Sequence, residues 1–538
     1  MAELACAVVG AVDVCIRSAH EIKEICRRFR AHDKEIEEKT VLVDAIWFRI
    51  ESQMRFLSRI SKLLEEELIK SQLSLLHILE GKLRQAITQL ALENSGNDIN
   101  DRSPKQKIMD YLKKWKWAIK DSLRVLVVEL EAWQTRFDPT WYLTILNSDK
   151  IMDLELRQAN RELANELDIP LDLPKNQLNP LTNMWKLRSA SKPDYRVSLY
   201  FEWAKLKNSK NIPVMFSTAR AILREKCGQT KLYIAEAVTS PDGSYGPLDI
   251  GQIRAAVESL AGKLQQIDPD TFGLLSCKGL INDREPATKA VKGIELLYDT
   301  PQNSAVPASL RGLLLDRSLV ASLSSIVRIA KHLIRSVSFV HTSGFVHKNI
   351  RPENILVFPS KDSSLGMSFL VGFNQFRRSN QPTNLLGDPA WHRNLYRHPE
   401  RQGTNVMNRY VMQHDIYSLG VCLLEIGLWQ SFVHYPGLNP TAAPVTPMSS
   451  EIQINNADFE AAHLSSRLRI KEQLVDLAKR KLPSRVGDVY TEVVLACLLC
   501  LDPRNGRFGD INQEDKDGIL VGIRFIEQIL ARINGISI

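Results

Sequence analysis

The sequence predicts two domains of different fold class: an N-terminal all-α helical bundle, then a domain with a small mixed α+β part and a larger, mainly helical part. Two observations support this prediction. Apolar residues recur three, four or seven positions apart through residues 1–148, a spacing typical of helices that each bury one face. From about residue 195, short runs rich in β-branched and aromatic residues appear, and such residues favour strands.

The composition is that of a soluble globular protein. The chain has 538 residues, of which 44% are hydrophobic and 25% charged, and its length favours more than one domain. No apolar run approaches the roughly 18 residues that a membrane-spanning helix needs. Glu3 and Asp13 place negative charges in the apolar N-terminus, where a signal peptide would have positive charge and an unbroken apolar core. We therefore expect a cytoplasmic protein.

The cysteines and the net charge indicate neither a metal site nor a nucleic-acid partner. Eight cysteines are too few for a disulfide framework. Cys497 and Cys500 lack the second pair that a zinc site would use, so we expect them to pack in the core. The formal charge of +8 suits an acidic partner, but no nucleic-acid-binding motif accompanies it.

Residues 1–148 form the predicted bundle, and residues 149–192 connect it to the second domain. A polar segment at 94–98 and a Ser-Pro at 103–104 predict a loop before the last bundle helix. The connector is expected to contain a helix over 149–167 and a proline-containing linker over 168–192. Three apolar stripes support the bundle: Ile36, Val43, Trp47, Ile50, Met54 and Leu57; Leu76, Leu79, Leu83, Ala86 and Leu90; Ile108, Leu112, Trp115 and Ile119.

The second domain, residues 193–538, divides into an N-lobe of about 193–302 and a C-lobe of about 303–538. The sequence predicts a helix over 250–266 and mainly helical structure beyond residue 307. The predicted strands are 197–203, 231–238, 273–281 and 293–298. A small mixed part followed by a larger helical part indicates two lobes of one domain.

The most informative segment is residues 341–356, which read His-Thr-Ser-Gly-Phe-Val-His-Lys-Asn-Ile-Arg-Pro-Glu-Asn-Ile-Leu. It resembles the catalytic loop of protein kinases, His-Arg-Asp followed by a hydrophobe and Lys-Pro-x-Asn. Four further segments resemble later kinase motifs in the same order. They are Val-Gly-Phe-Asn at 371–374 for Asp-Phe-Gly, His-Pro-Glu at 398–400 for Ala-Pro-Glu, the helix start at 415–420, and the segment 501–507 that ends in Arg507. The resemblance implies a bilobal kinase-like fold.

The residues that would carry out phosphoryl transfer are replaced. Asn349 stands where the family has the Asp that accepts the substrate proton, and a carboxamide has almost no basicity. Gly372 stands where the family has the magnesium-binding Asp. Asn354 is retained as a weak candidate for metal or nucleotide binding, but one neutral amide does not hold a hard dication by itself. The sequence therefore predicts a pseudokinase without catalytic residues.

The smaller lobe also lacks the residues that bind nucleotide. No Gly-x-Gly-x-x-Gly loop is present, and the nearest match to the family's Val-Ala-x-Lys ends in Glu236, an acid in place of the phosphate-binding lysine. Glu258 could be the helix glutamate that such a lysine pairs with, but the sequence offers it no obvious partner. We therefore expect no ATP or magnesium cofactor.

The residues that maintain the family's scaffold are present. The resemblance implies that His347 is a buried histidine of the loop and that Asp415 binds the loop backbone. It also implies that Glu400 and Arg507 form a buried ion pair. Loss of one partner of such a pair costs about 3 to 5 kcal/mol.

The first 150 residues resemble the HeLo-type helical domains of fungal incompatibility and cell-death proteins, which open with a small, apolar helix. Here that helix carries Leu4, Val8, Val9, Val12 and Ile16. The overall plan is similar to mixed-lineage-kinase-domain-like proteins, in which a pseudokinase controls a membrane-active bundle. The resemblance implies self-association through the bundle, an upstream receptor or kinase, and recruitment to the plasma membrane on activation.

One segment of the bundle, residues 113–117, combines cations with aromatic residues, as a helix that contacts an anionic membrane does. An ordinary packed helix with solvated lysines explains the same segment. Two other functions also stay open: a scaffold whose bundle only docks proteins, and an atypical kinase that uses a displaced acid such as Glu353. The candidate membrane-contact residues are Lys113, Lys114, Trp115, Lys116 and Trp117.

Overall fold

A computed structural model gives the structure of the protein. It describes residues 1–29, 34–92, 104–146, 151–166, 180–190, 199–202, 206, 209–226, 229–238, 247–284, 291–302, 304–360, 365–378, 386–406, 408–445, 464–502, 508 and 518–537. The chain forms two compact units, Met1–Lys186 and Leu187–Ile538.

The first unit is helical, as predicted. In the bundle, α1 packs against α2 and α3, and α4 packs against the same two helices. Its helices are α1 (Ala2–Phe29), α2 (Lys34–Ile60), α3 (Glu66–Leu92), α4 (Pro104–Leu146), α5 (Ile151–Glu166) and α6 (Pro180–Ser189), the last of which crosses the boundary between the units.

Aromatic residues of α4 form much of the bundle core. The rings of Trp133, Phe137 and Trp141 follow one another along one face of α4, with centroids 4.5 and 6.1 Å apart. Phe56 of α2 meets Trp141 edge to face. By contrast, α1 buries mostly small side chains: Ala5, Val8, Val12, Cys15, Ala19, Ile22 and Cys26.

Part of the predicted linker is helical. Helix α6 begins at Pro180, and a proline in the first turn is compatible with a helix because that residue's N–H needs no intrahelical partner. Leu181, Met184 and Leu187 of this helix are buried. Their packing stabilises a helix where the prolines had indicated a linker. The predicted loop at 94–98 lies outside the described residues, and α4 begins at Pro104.

The second unit contains a five-stranded antiparallel sheet with strand order β1-β2-β3-β5-β4. Two strands, β1 and β2, were not predicted. The predicted strand over 273–281 starts late, because Gly273 adopts a φ of 65° and caps the short helix Pro269–Phe272. The strands are β1 (Lys210–Pro213), β2 (Arg220–Lys226), β3 (Gln229–Ala237), β4 (Cys277–Arg284) and β5 (Val291–Asp299).

The predicted strand over 197–203 is reduced to a bridge between Tyr200 and Leu280 among the residues described there. The remaining strands pair in small sheets, and two of these sheets include the strands that flank the predicted catalytic loop, Phe345–Val346 and Ile355–Val357. These strands are β6 (Ala308–Ser309), β7 (Phe345–Val346), β8 (Ile355–Val357), β9 (Ser368–Leu370), β10 (Arg377–Arg378), β11 (Leu386–Asp388) and β12 (Gly403–Asn405).

The part of the second unit that follows the sheet is mainly helical. Apolar faces of α10, α12 and α14 form its core, with α13 packed against α12 and α14. The helices are α7 (Pro247–Leu264), α8 (Pro269–Phe272), α9 (Leu310–Leu315), α10 (Leu323–Thr342), α11 (Trp391–Asn394), α12 (Met412–Leu428), α13 (Leu464–Val486), α14 (Asp488–Leu498), α15 (Ile519–Phe525) and α16 (Ala531–Asn534).

The sheet-plus-helix composition of this unit agrees with the predicted class, and its division into two lobes stays a prediction. None of the described helices has both the length and the apolar composition required to cross a membrane.

Candidate functional site

The loop after α10 is fixed by a buried carboxylate. Asp415, in the first turn of α12, accepts hydrogen bonds from the backbone N–H groups of His347 and Lys348 at 2.7 and 2.8 Å. The hydroxyl of Tyr410 donates to the same carboxylate at 2.7 Å, and Nε2 of His341 lies 3.1 Å from it. Burial by itself would raise the pKa of Asp415, but these groups lower it to about 2. The carboxylate is therefore held ionised.

His347 lies beneath this loop with no exposed surface. Its ring packs against Phe373, with centroids 4.6 Å apart, and its Nδ1 accepts from the backbone N–H of Asn349. Burial lowers the pKa of His347 to about 4, so the ring is neutral at pH 7. These contacts are those of a packed, structural histidine.

Asn349 is also buried, and its side-chain amide contacts three neighbours. Its Nδ2 donates to Oδ1 of Asn374 at 2.7 Å and to the carbonyl of Gly372 at 3.3 Å. Its Oδ1 accepts from Nε of Arg351 at 2.8 Å. A carboxylate could not make the two donations, so the surroundings of this position match an amide.

Gly372 is packed too tightly for a side chain. It has a φ of 91°, and an added Cβ would lie 2.3 Å from Cγ of Asn354. Asn354 has no exposed surface and donates from Nδ2 to the carbonyl of Asn349 at 2.7 Å. The amide that could have served as a metal ligand therefore fills the space beside the glycine.

Glu236 contacts the same glycine from β3. One carboxylate oxygen accepts from the backbone N–H of Gly372, and the other accepts from the hydroxyl of Tyr298 at 2.5 Å. Burial raises the pKa of Glu236 to about 7, although these hydrogen bonds oppose the shift. The position expected for a phosphate-binding lysine thus holds an acid that is bonded to the protein itself. Glu258 of α7 instead accepts from the hydroxyl of Tyr200 at 2.7 Å.

Glu353, the candidate displaced acid, belongs to a buried ion network. Nε of Arg311 donates to it at 3.1 Å, and Nη1 of Arg311 donates to Glu425 at 2.9 Å. The hydroxyl of Tyr396 donates to Glu425 at 2.7 Å. Burial would raise the pKa of Glu353, but Arg311 and Arg351 lower it below its ordinary value. A buried, paired carboxylate with a lowered pKa is a poor proton acceptor.

Two of the predicted features can be placed only in part. Glu400 is 42% exposed in its side chain and accepts from Nδ2 of Asn408, so it lacks the burial expected of an ion pair with Arg507, which lies outside the described residues. Solvent is available to Glu400 because the short helical turn Pro399–Arg401 buries Arg401 instead. In α4, Trp117 is 70% exposed, whereas the side chains of Lys113, Lys114, Trp115 and Lys116 are outside the described set.

One group of potential metal ligands lies near the His-Pro-Glu segment. The donor atoms of His398, Glu400 and His414 all lie within 4.8 Å of one another. However, Nδ1 of His398 and Nδ1 of His414 accept backbone N–H groups of Glu400 and Val411. Each neutral ring therefore carries its proton on Nε2, and neither ring nitrogen offers a free lone pair. Hydrogen bonding of the backbone accounts for Nδ1 of both rings, whereas Nε2 of each is buried without a hydrogen-bond partner among the described residues.

The sequence points to Asn349, Gly372 and Glu236 but not to the residues that contact them. It gives no indication of Tyr298 or of the partners of Arg311. A lone arginine inside the apolar run Leu-Arg-Gly-Leu-Leu-Leu at 310–315 was the available signal, because a charge on a buried face requires a buried partner. Tyr298 had no such signal, since its contact with Glu236 depends on the pairing of β3 with β5.

The chain is similar in sequence to known protein kinases. The chain is 25% identical over 270 residues to the serine/threonine-protein kinase Kist of Rattus norvegicus, covering 48% of this chain and 59% of that protein. It is 28% identical over 183 residues to mitogen-activated protein kinase 10 of Oryza sativa subsp. japonica, covering 32% and 28%. It is 30% identical over 114 residues to a MAP kinase kinase of Saccharomyces cerevisiae, covering 21% and 20%.

The chain thus spans less than two thirds of the length of each of these relatives. No family model matches it. The resemblance of the bundle to HeLo-type domains stays a prediction. The kinase similarities agree with the ordered motifs and with the sheet and helices of the second unit, and the chain accordingly contains a protein-kinase-like domain.

Proposed function

We propose that the chain is a non-catalytic signalling protein, a pseudokinase whose kinase-like domain regulates the helical bundle. The observation that carries the proposal is the packing at Gly372. The position that would supply a magnesium-binding carboxylate has no side chain, and Asn354 occupies the space that a Cβ would need. Magnesium is bound by carboxylates and phosphates in phosphotransferases, and here that carboxylate is absent.

Two further features support the same function. Asn349 cannot accept a proton, and general-base catalysis is worth about 10² to 10⁴ in rate. Glu236 places a carboxylate, bonded to Gly372, where nucleotide phosphates would need a cation. Whether protonated or ionised, this carboxyl supplies no positive charge for the phosphates, so we expect ATP and magnesium to bind weakly or not at all.

Radiolabelled ATP with magnesium tests this part of the proposal. We expect purified full-length protein to label neither itself nor a generic substrate. Labelling that disappears in Asn349→Ala would contradict the proposal and favour an atypical kinase. The contact between Glu353 and Arg311 argues against Glu353 as a base. Labelling that disappears in Glu353→Gln but not in Asn349→Ala would nevertheless identify Glu353 as the base.

For the bundle, we propose action at membranes, as in a cell-death or incompatibility effector. Helix α1 contacts α2 and α3 through a face made mostly of Ala, Val and Cys side chains, each of which buries less apolar area than a Leu or Phe would, so its release costs less free energy than that of a helix with larger side chains. Trp117 is exposed on α4, as a residue that contacts the lipid interface would be. Since no described helix can span a membrane alone, the proposal includes self-association, triggered by an upstream receptor or kinase.

Leakage of dye from anionic vesicles tests this second part. Residues 1–186, which form one compact unit, should cause leakage. A version without residues 1–16 and a version with Lys113, Lys114 and Lys116 changed to Glu should cause much less. Changing Lys62, Arg157 and Arg161 of the same unit to Glu provides a control with an equal change of charge. Equal leakage from all versions, or none, would favour a scaffold whose bundle docks proteins.

A further inference from the structure

A cavity of about 260 Å³ lies between α10 and the C-terminal residues of the second unit. Arg328, Lys331 and Arg335 of α10 line it, three and four residues apart and therefore on one helix face. No carboxylate of the described residues lines the cavity. The position is distinct from the catalytic-loop residues considered above.

The cations are partly removed from water but lack an anionic partner in the described part of the chain. Nζ of Lys331 donates to the carbonyls of Ile536 and Asn534 at 2.8 and 3.5 Å. Nη2 of Arg335 lies 3.5 Å from the amide oxygen of Asn534. Burial lowers the pKa of both, and Arg335 lowers that of Lys331 further. Because neutral carbonyls do not offset charge, the cavity keeps an unbalanced positive potential.

The remaining polar groups in the cavity are donors. Nδ1 of His332 accepts from the backbone N–H of Ser368 at 3.2 Å, so the neutral ring carries its proton on Nε2. Burial lowers the pKa of His332 to about 4, and the ring stays neutral at pH 7. The hydroxyl of Ser324 also lines the cavity. An oxyanion is the ligand class that matches several N–H and O–H donors with a net positive charge.

We propose that this cavity binds a small phosphate-bearing molecule. Arginine guanidinium groups match phosphate oxygens in a two-pronged geometry. Arg328 lies exposed beside the partly buried Lys331 and Arg335. Its Nη2 donates to the neutral carbonyl of Leu365. The cavity is below the roughly 300 Å³ at which pockets for drug-sized ligands begin. A phosphate group with a small organic residue therefore fits better than a nucleotide.

Calorimetric titration of the full chain with inorganic phosphate, at constant ionic strength in chloride, tests the proposal. Phosphate should bind saturably and raise the melting temperature by mass action. The double variant Lys331→Gln, Arg335→Gln should bind about tenfold more weakly or worse, since charge-assisted hydrogen bonds are lost. The pair Lys479→Gln, Arg485→Gln, exposed on α13, should bind as the wild type does.

Glycerol phosphate and pyrophosphate identify the preferred phosphate chemistry in the same titration. Arg335→Glu separates loss of phosphate binding from loss of folding. The new glutamate gives Lys331 an anionic partner, so this variant should stay folded although its phosphate site is lost. It should raise the melting temperature without phosphate and remove the further rise on adding phosphate. Absence of binding to the wild type, or equal binding to the wild type and the double variant, would overturn the proposal.

Discussion

The two sides of the loop after α10 differ in what they retain. On one side, Asp415 accepts from the backbone of His347 and Lys348, as the kinase resemblance implies for a scaffold residue. On the other side, Asn349 and Gly372 stand where the kinase resemblance predicts catalytic carboxylates, and Asn374 and Asn354 pack against them. The comparison teaches that the residues that hold the loop and those that would carry out chemistry can change independently.

The largest loss of stability is expected from breaking the buried ion network around Arg311. Arg311→Leu would leave Glu353 and Glu425 buried without their cation, at a cost of about 3 to 5 kcal/mol in the free energy of unfolding. Denaturant unfolding of the full chain measures this. The matched control is Arg532→Leu, which breaks the exposed pair with Glu492 and should cost about 1 kcal/mol or less. A small effect at Arg311 would mean that the network contributes little to the fold.

Glu236, which contacts Gly372, should make the free energy of unfolding depend on pH. Its pKa rises from 4.5 to about 7 on folding, so the folded state binds the proton more tightly than the unfolded state does. The contribution of Glu236 to stability is then fully present below about pH 4.5 and is lost as the pH rises through 7, by about 3 kcal/mol in total. Glu236→Gln should abolish this slope, as measured by urea unfolding at several pH values.

The control for that experiment is Glu258→Gln on α7, whose carboxylate accepts only from Tyr200 among the contacts seen here. This variant should keep the slope of the wild type. If Glu236→Gln also keeps it, the carboxyl of Glu236 does not titrate between pH 4.5 and 7, and its contact with Gly372 is not the source of the pH dependence.

Asp415 should act with the opposite sign. Its pKa falls from 3.8 to about 2 on folding, so its contribution to stability is present above pH 3.8 and is lost as the pH falls through 2. The contribution is about 2 kcal/mol. In Asp415→Asn, unfolding free energies near neutral pH should drop and the acid limb should flatten. Asp476→Asn, at an exposed position of α13, should leave that limb unchanged.

The sequence predicted this contrast better than it predicted the contacts behind it. The order of motifs identified Asn349, Gly372 and Asp415, since these lie in short segments with fixed spacing. The helical bundle followed from its apolar periodicity. The network around Arg311 could not be predicted, because its members are up to 114 residues apart in sequence. Helix α6 was not predicted because Pro180 indicated a linker. Strand β1 was not predicted because it is short and mostly exposed.

The smallest effect is expected from restoring the catalytic carboxylates. Asn349→Asp with Gly372→Asp should give no phosphotransfer above background. The new Cβ at 372 would meet Asn354 at 2.3 Å, and the φ of 91° there is strained for any L side chain. The new acid at 349 would face the carbonyl of Gly372, to which Asn349 now donates. Adding Glu236→Lys supplies the missing cation but removes the acceptor for the N–H of Gly372.

Labelling with ATP and magnesium should therefore stay at background in both the double and the triple variant. Circular dichroism of each variant shows whether it is folded, and Asn349→Asp alone, which adds no Cβ at 372, serves as the better-folded comparison. A strong rate from the folded double variant would mean that the missing carboxylates were the only obstacle. In that case the packing of Glu236 and Asn354 against Gly372 would not prevent nucleotide binding, and the two sides of the loop would differ by two substitutions alone.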